Sequence, residues 1–393
     1  MIDIEKVLCA LVACDGSDLH LKVGSVPLAR IDGVLGPLLT DEWPVLEPAD
    51  TEAAVKALLK GTGRYPDFDA EHEIDLSHDI PGVARFRINA FCQRGYISIV
   101  ARAIPHRIRT IEELMLPPVI TELAEETRGI ILATGTTGSG KSTTLAAMID
   151  HINRTRAAHI VTIEDPIEFV HEDHLSMISQ REVGLDTASF KRALRRVLRQ
   201  DPDVILIGEM RDEETVATAI SAAETGHLVF STIHTVDAAE SINRMLDFFP
   251  THQHKQVRSM LAGTLKGVVS QRLLPAAVGG RIAACEVLRM TGRVRDVIRD
   301  PTQTTDLSEV IAEGSYYGMQ TFDQALLAHV LAGRVRVDDA LAAASSPHDF
   351  KLMLDAEGDA APQEKTAKPK PTPVRSSERE PEREPAPPLA LVS

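Results

Sequence analysis

The stretch I-I-L-A-T-G-T-T-G-S-G-K-S-T-T, running from Ile130 to Thr144, decides how the rest of the chain is read. Gly135, Gly140, Lys141 and Ser142 fall at the spacing G-x-x-x-x-G-K-[ST], a Walker A signature. The apolar run Ile130 to Ala133 predicts a buried strand, and Leu145, Met148, Ile149 and Ile152 then recur at helical spacing. Strand, glycine loop and helix occur in the order a phosphate cradle requires. Glycines let successive N–H groups turn inward around an anion, and the new helix points its positive end at the same place. Lys141 adds a mobile charge for the outer phosphates, and the Ser142 hydroxyl is placed for Mg²⁺. A turn that merely joins a strand to a helix is the bland alternative, and the structural context around the motif argues against it.

Working outward, a chain of 393 residues has room for two or three domains. Its formal charge of −15 argues against nucleic acid or an anionic membrane surface as the main partner. No apolar run approaches the roughly 20 residues needed to span a bilayer, and Met1 to Lys6 lacks a signal-peptide pattern. These features predict a cytoplasmic protein with no direct membrane insertion. Cys9, Cys14, Cys92 and Cys285 form no C-x-x-C pair and are read as buried reduced thiols.

Residues 1–103 alternate short apolar runs with turn signals, at Leu19 to Val23, Leu28 to Ile31 and Arg85 to Ala90, around a helical segment from Glu52 to Lys60. This pattern predicts a small α+β domain. Phe86, Ile88 and Ala90, then Ile97, Ile99 and Ala101, predict paired strands with one packed face. Arg85, Arg87, Arg94 and Arg102 read first as a solvated face and second as reaching toward a phosphate. Residues 104–115 read as a linker, with a short helical segment from Thr110 to Met115 bracketed by prolines. A second domain is expected over 116–355, where strand-like runs at Ile130–Ala133, Ile160–Ile163, Val204–Ile207 and Leu228–Ser231 alternate with helices. That alternation predicts an α/β fold with a mostly parallel sheet.

Ligands of such sheets gather at the carboxyl ends of the strands, so acids there matter most. Glu164, Asp165 and Glu168 follow one strand. Gly208, Glu209, Met210, Arg211 and Asp212 follow another, the Walker B strand. One acid can hold Mg²⁺ while a second orients or deprotonates the attacking water. His227 and His234 flank the fourth strand without a carboxylate at ligand spacing, so they read as phosphate sensors or core residues rather than metal ligands. From Leu265 to Leu354 the pattern reads as helical. The segment 356–393, rich in proline and charge and lacking aromatics, reads as a disordered tail.

Four ordered motifs together resemble one family: G-T-T-G-S-G-K-S-T-T, I-E-D-P-I-E-F from Ile163, L-I-G-E-M-R-D from Leu206, and T-G-H-L-V-F-S-T-I-H-T from Thr225. They are similar to those of the type II/IV secretion ATPases, and within them to the pilus retraction ATPases, the PilT family. The resemblance runs from S-D-L-H-L at Ser17 to G-M-Q-T-F-D-Q at Gly318. It implies a PAS-like N-terminal domain, a RecA-like P-loop ATPase domain, a ring of six copies binding ATP and Mg²⁺, and work on pilus machinery through an inner-membrane platform protein. It places the chain peripherally at the inner face of the cytoplasmic membrane.

Residue by residue, the resemblance implies phosphate binding by Gly138, Gly140, Lys141, Ser142 and Thr143, with Gly135, Thr136, Thr137 and Ser139 completing the loop. Glu164 is the candidate general base, and Glu209 with Ser142 the candidate Mg²⁺ pair. His227 and His234 match the histidine box, with His234 the phosphate sensor. Arg102, Arg107 and Arg109 are candidates for contacts to a neighbouring copy's nucleotide. Absence of paired C-x-x-C motifs and a short N-terminal region favour retraction over assembly. The family's A-I-R-N-L-I motif stands here as Arg293-Val294-Arg295-Asp296-Val297-Ile298, which leaves an accessory retraction paralogue open. Extension or secretion motors, and a slow nucleotide-bound scaffold, are the other readings.

Overall fold

A computed structural model describes residues 2–360 apart from 32, 39–42, 105–106, 301 and 303–306. The chain begins with α1 (Ile4–Ala13), where the Asp3 carboxylate accepts from the N–H groups of Glu5 and Lys6. Those donors have no partner within the helix, so the cap stabilises its first turn. There follow β1 (Asp18–Lys22), β2 (Leu28–Ile31), β3 (Val34–Pro37), α2 (Pro48–Leu58), α3 (Tyr65–Glu71), β4 (Glu73–Ile80), β5 (Ala84–Gln93) and β6 (Tyr96–Ile104). Among the described residues the strands form one antiparallel sheet ordered β3-β2-β1-β6-β5-β4. On β5, Phe86, Ile88 and Ala90 are buried while Arg87 and Cys92 face solvent. The buried set packs with Val7, Leu8 and Leu11 of α1 and Val55 of α2. The thiols do not behave uniformly: Cys285 is buried, Cys92 is exposed, and Cys9 and Cys14 lie between.

The larger part runs through α4 (Val119–Ala124), β7 (Gly129–Thr134), α5 (Lys141–Thr155), β8 (His159–Glu164), β9 (Met177–Glu182), α6 (Phe190–Val197), β10 (Val204–Ile207), α7 (Glu213–Glu224), β11 (Leu228–Ile233), α8 (Ala238–Asp247), α9 (His254–Thr264), β12 (Leu265–Pro275) and β13 (Arg281–Arg289). The described strands order as β13-β12-β7-β11-β10-β8-β9, parallel throughout except for β13. The α/β class expected from the strand–helix alternation is therefore the one observed. Every residue of β7, β10 and β11 is buried, as strands covered on both faces must be.

Three expectations are corrected. Thr110 to Met115 is one turn rather than a helix: Leu114 N–H reaches the Thr110 carbonyl, and Met115 then turns left-handed at φ +54°. A non-glycine residue in that region ends helical propagation, and helix resumes only at Val119, beyond Pro117 and Pro118. The span from Leu265 does not open with a helix but with β12 and β13. Their backbone groups pair with β7 and with each other, and a strand buried on both faces shows no alternation to betray it. Helices follow, α10 (Gly292–Arg299), α11 (Leu307–Ala312), α12 (Phe322–Leu331), α13 (Val337–Ala343) and α14 (Pro347–Ala360). Finally, residues 356–360, expected in the tail, belong to α14, and 361–393 lie outside the described residues.

The R-V-R-D-V-I segment lies on α10, where Val294, Val297 and Ile298 are buried in the core of the larger part and Arg295 Nε donates to the Ala262 carbonyl at 3.1 Å. No helix among the described residues is long and apolar enough to cross a membrane.

Candidate active site

Four neighbouring parallel strands, β7, β11, β10 and β8, end at the same edge of the sheet. Their carboxyl ends deliver the glycine loop, His234, Glu209 and Glu164 in turn. Together they line a cleft of about 500 Å³ that also includes Thr137, Gly138, Ser142 and Thr143. Cross-links between strand ends hold the edge: Gly208 N–H donates to the Ile163 carbonyl at 2.8 Å, Met210 N–H to the Thr232 carbonyl at 3.0 Å, and Thr232 Oγ1 to the Gly208 carbonyl at 2.7 Å.

The loop itself is built for close backbone approach. Gly140 caps α5 at φ +95°, and Gly138 sits at φ +79°. A Cβ on Gly135 would lie 2.5 Å from the Gln271 carbonyl oxygen. β12 buttresses the loop through Thr134 Oγ1 to Ser270 Oγ, 2.9 Å, and Gln271 Nε2 to Thr144 Oγ1, 2.8 Å. Lys141 is buried, and its Nζ donates to the carbonyls of Gly135 and Thr136, 2.9 Å each. Burial holds its pKa below the usual lysine value against the opposing charges of Glu168 and Glu209. An amine so placed can exchange carbonyl partners for the oxygens of an anion entering the loop. Ser139 Oγ is buried within the loop without a hydrogen-bond partner among the described groups.

Glu164 lies half-buried on β8. Burial raises its pKa above the ordinary carboxylate value, opposed by Thr162 Oγ1 (2.6 Å), Gln180 Nε2 (3.2 Å) and the N–H of Glu168, and assisted by the Glu168 charge. A carboxyl raised in this way is a better proton acceptor when ionised. Glu209 pairs with Arg211 on one oxygen and approaches His234 Nε2 at 3.6 Å with the other. The oxygen donor set of Ser142 and Glu209 suits Mg²⁺, a hard cation that prefers carboxylate, hydroxyl and water.

The three arginines separate. Arg102 lines the cleft of its own chain, its Nε held by Asp18 Oδ1 at 2.7 Å. Despite its burial, the Asp18 carboxyl is drawn below its usual pKa by Ser17, Arg102 and Arg30. Arg107, paired with Glu113, and Arg109, exposed on the connecting segment, do not line it. His227 is not brought to the cleft either. It precedes β11 at the opposite edge of the sheet, where Nδ1 meets the Ala222 carbonyl at 2.9 Å. Seven strand steps separate it from His234, roughly 23 Å at strand rise. Gly135, Thr136 and Ser139 do not line the cleft: Gly135 and Ser139 are buried in the loop, and Thr136 is exposed.

Sequence reasoning missed Gln180, Leu273 and Arg281. Gln180 lies on β9, Leu273 on β12 touches the Gly140 side of the loop, and Arg281 opens β13 at the cleft rim. All three depend on strands that carried no alternation. The Ile178-Ser179-Gln180 stretch of β9 offered no signal by itself.

The family described as Type II/IV secretion system protein matches residues 98–279. The type IV pilus retraction ATPase PilT of Pseudomonas aeruginosa is 44% identical over 349 residues, covering 89% of this chain and 100% of that protein. The type IV pilus ATPase PilU of the same organism is 41% identical over 362 residues, covering 91% and 94%. A crystal structure of the pilus retraction motor PilT with bound ADP superposes with a TM-score of 0.83 at 41% identity, covering 90% of this chain and all of that one. With the loop, both acids and the histidine on one sheet edge, and with full-length identity of this order, the chain belongs to the PilT family of pilus retraction ATPases within the type II/IV secretion superfamily.

Proposed function

We propose that the chain hydrolyses ATP as a ring of six copies and spends the energy retracting type IV pili, supporting twitching motility from the cytoplasmic face of the membrane through a platform protein. The observation that carries this reading is the convergence of Lys141, Glu164, Glu209 and His234 on one cleft. In it, the loop N–H groups and Lys141 bind and orient the triphosphate, which places most of the catalytic burden on positioning and charge. Glu164 takes the proton of the attacking water. Ser142 and Glu209 would hold Mg²⁺, which would supply charge neutralisation to the phosphates when bound. His234, beside Glu209, registers the γ-phosphate and its loss.

Arg102 adds positive charge from the N-terminal sheet of the same chain. Arg107 and Arg109, outside their own cleft, are assigned to the neighbouring copy's nucleotide; an arginine supplied in trans is worth about 10³–10⁵ in rate in other P-loop enzymes. The domain division at 1–103, 104–115 and 116–355 is part of this proposal; the two sheets, β1–β6 and β7–β13, support it, although Ile104 closes β6.

The test is a deletion strain complemented with wild type or Lys141→Ala, scored for surface pili and retraction, alongside turnover of the purified full chain. Excess pili without retraction in the deletion and in Lys141→Ala support the reading. Loss of all pili assigns an extension motor instead, and wild-type turnover in Lys141→Ala overturns the ATPase assignment. The altered R-V-R-D-V-I segment and the PilU similarity favour a second reading, an accessory ATPase. In that case the deletion leaves retraction in place.

A further inference from the structure

Glu182, the last residue of β9, is 4% exposed and lies between the two sheets. Its Oε1 accepts from Ser77 Oγ of β4 at 2.7 Å, and its Oε2 accepts from Arg85 Nη2 of β5 at 2.9 Å. Both donors belong to the N-terminal sheet. The same Oε2 accepts from the backbone N–H of Ile167 at 3.2 Å, in the loop that follows Glu164. Glu182 is also the direct register partner of Glu164 in the β8–β9 ladder, and Val183 N–H donates to the Glu164 carbonyl at 2.9 Å. One buried carboxylate thus ties the N-terminal sheet to the segment carrying the proposed base.

We propose that Glu182 is a positioning residue that reports the stance of the N-terminal domain to the Glu164 loop. A buried carboxylate stripped of its donors is costly, so Glu182 cannot stay in place when the N-terminal sheet shifts. If Ser77 and Arg85 withdraw, Glu182 must turn toward solvent or toward other donors, and either movement releases Ile167 N–H. The loop from Glu164 to Glu168 then loses its anchor, and with it the geometry and the Glu168 N–H contact that set the Glu164 carboxyl. Hydrolysis proceeds only while the two domains are docked through this contact. Arg85 thereby acquires a role within its own chain that neither a solvated face nor a contact to phosphate describes.

The catalytic half of this inference rests on Glu164 being the base; the coupling half does not. The test therefore uses two readouts on the purified full-length protein. Ser77→Ala and Arg85→Ala alter only the N-terminal side. Hydrogen exchange of a peptide spanning Ile167 is expected to rise about tenfold in both, the change from losing one hydrogen bond's worth of protection, while peptides in the Phe86–Ala90 core keep wild-type exchange. Turnover is expected to fall about tenfold with KM for ATP unchanged. Arg85→Lys, which keeps the charge, restores part of it, and Arg85→Ala combined with Glu182→Gln is no worse than the poorer single variant.

Unchanged exchange at Ile167 in both Ser77→Ala and Arg85→Ala overturns the coupling. Faster exchange with unchanged turnover overturns the catalytic link. Equal losses in turnover and in ADP-analogue affinity overturn it as well, because they mark a general loosening. Wild-type turnover in Glu164→Gln instead removes the base assignment, and leaves the exchange result to decide the coupling alone.

Discussion

Gln180 Nε2 donates to Glu164 Oε1 at 3.2 Å and to the Phe169 carbonyl at 2.8 Å, so one amide on β9 holds both the proposed base and the loop behind it. Burial raises the Glu164 pKa, and Gln180 and Thr162 oppose the rise. The base acts as a carboxylate, so kcat/KM for ATP should fall as pH is lowered, through a pKa above the ordinary glutamate value. Gln180→Leu withdraws a hydrogen bond to the charged form, worth roughly 1.5–3 kcal/mol. Its pH profile should lose on the order of tenfold or more at the acid end and recover as pH rises, with ADP affinity unchanged.

Glu286 supplies a second pH signature, read in stability. It is buried on β13, where it accepts from Ala238 N–H at 2.8 Å, and burial pushes its pKa up to about 7. The folded chain therefore holds this proton up to higher pH than the unfolded chain, whose glutamate titrates near 4.3. The stabilising contribution is complete below the unfolded value and is lost as pH rises toward 7, at most about 4 kcal/mol. Glu286→Gln retains an acceptor for Ala238 and removes the titration. Denaturant midpoints measured from pH 4.5 to 7.5 should fall more steeply for wild type than for the variant.

Two glycines of the phosphate loop should respond differently. Gly135→Ala forces a Cβ to within 2.5 Å of the Gln271 carbonyl and of Ser139 Oγ at φ +136°, and the backbone carbonyl cannot yield. Gly138→Ala meets nothing within 4 Å and bears only its left-handed φ of +79°, about 1–2 kcal/mol. Thermal unfolding should show Gly135→Ala as the more destabilised of the pair, with ADP binding lost alongside it.

Phe230 is fully buried at the centre of β11, between β7 and β10. Phe230→Ala should cost about 3–5 kcal/mol by lost transfer energy and residual cavity. Equilibrium unfolding measures this directly. Because β11 also carries His234 to the cleft, turnover should fall even in the folded fraction.

The sequence by itself determined the phosphate loop, the α/β class, and the acids Glu164 and Glu209. Each is a local pattern: glycines at fixed spacing, an apolar run, an acid immediately after it. It also held the clue that His227 and His234 end on opposite edges, since a strand of fixed rise lies between them. Tertiary structure alone decided which strands are neighbours, and so placed Gln180, Gln271, Leu273 and Arg281 around the loop. β12 is buried on both faces and β9 carries no clear alternation, so neither advertised itself in the residue pattern. The same is true of Arg85 and Glu182. They lie 97 positions apart, and nothing in either local sequence announces that a buried carboxylate on one sheet will find its donors on the other.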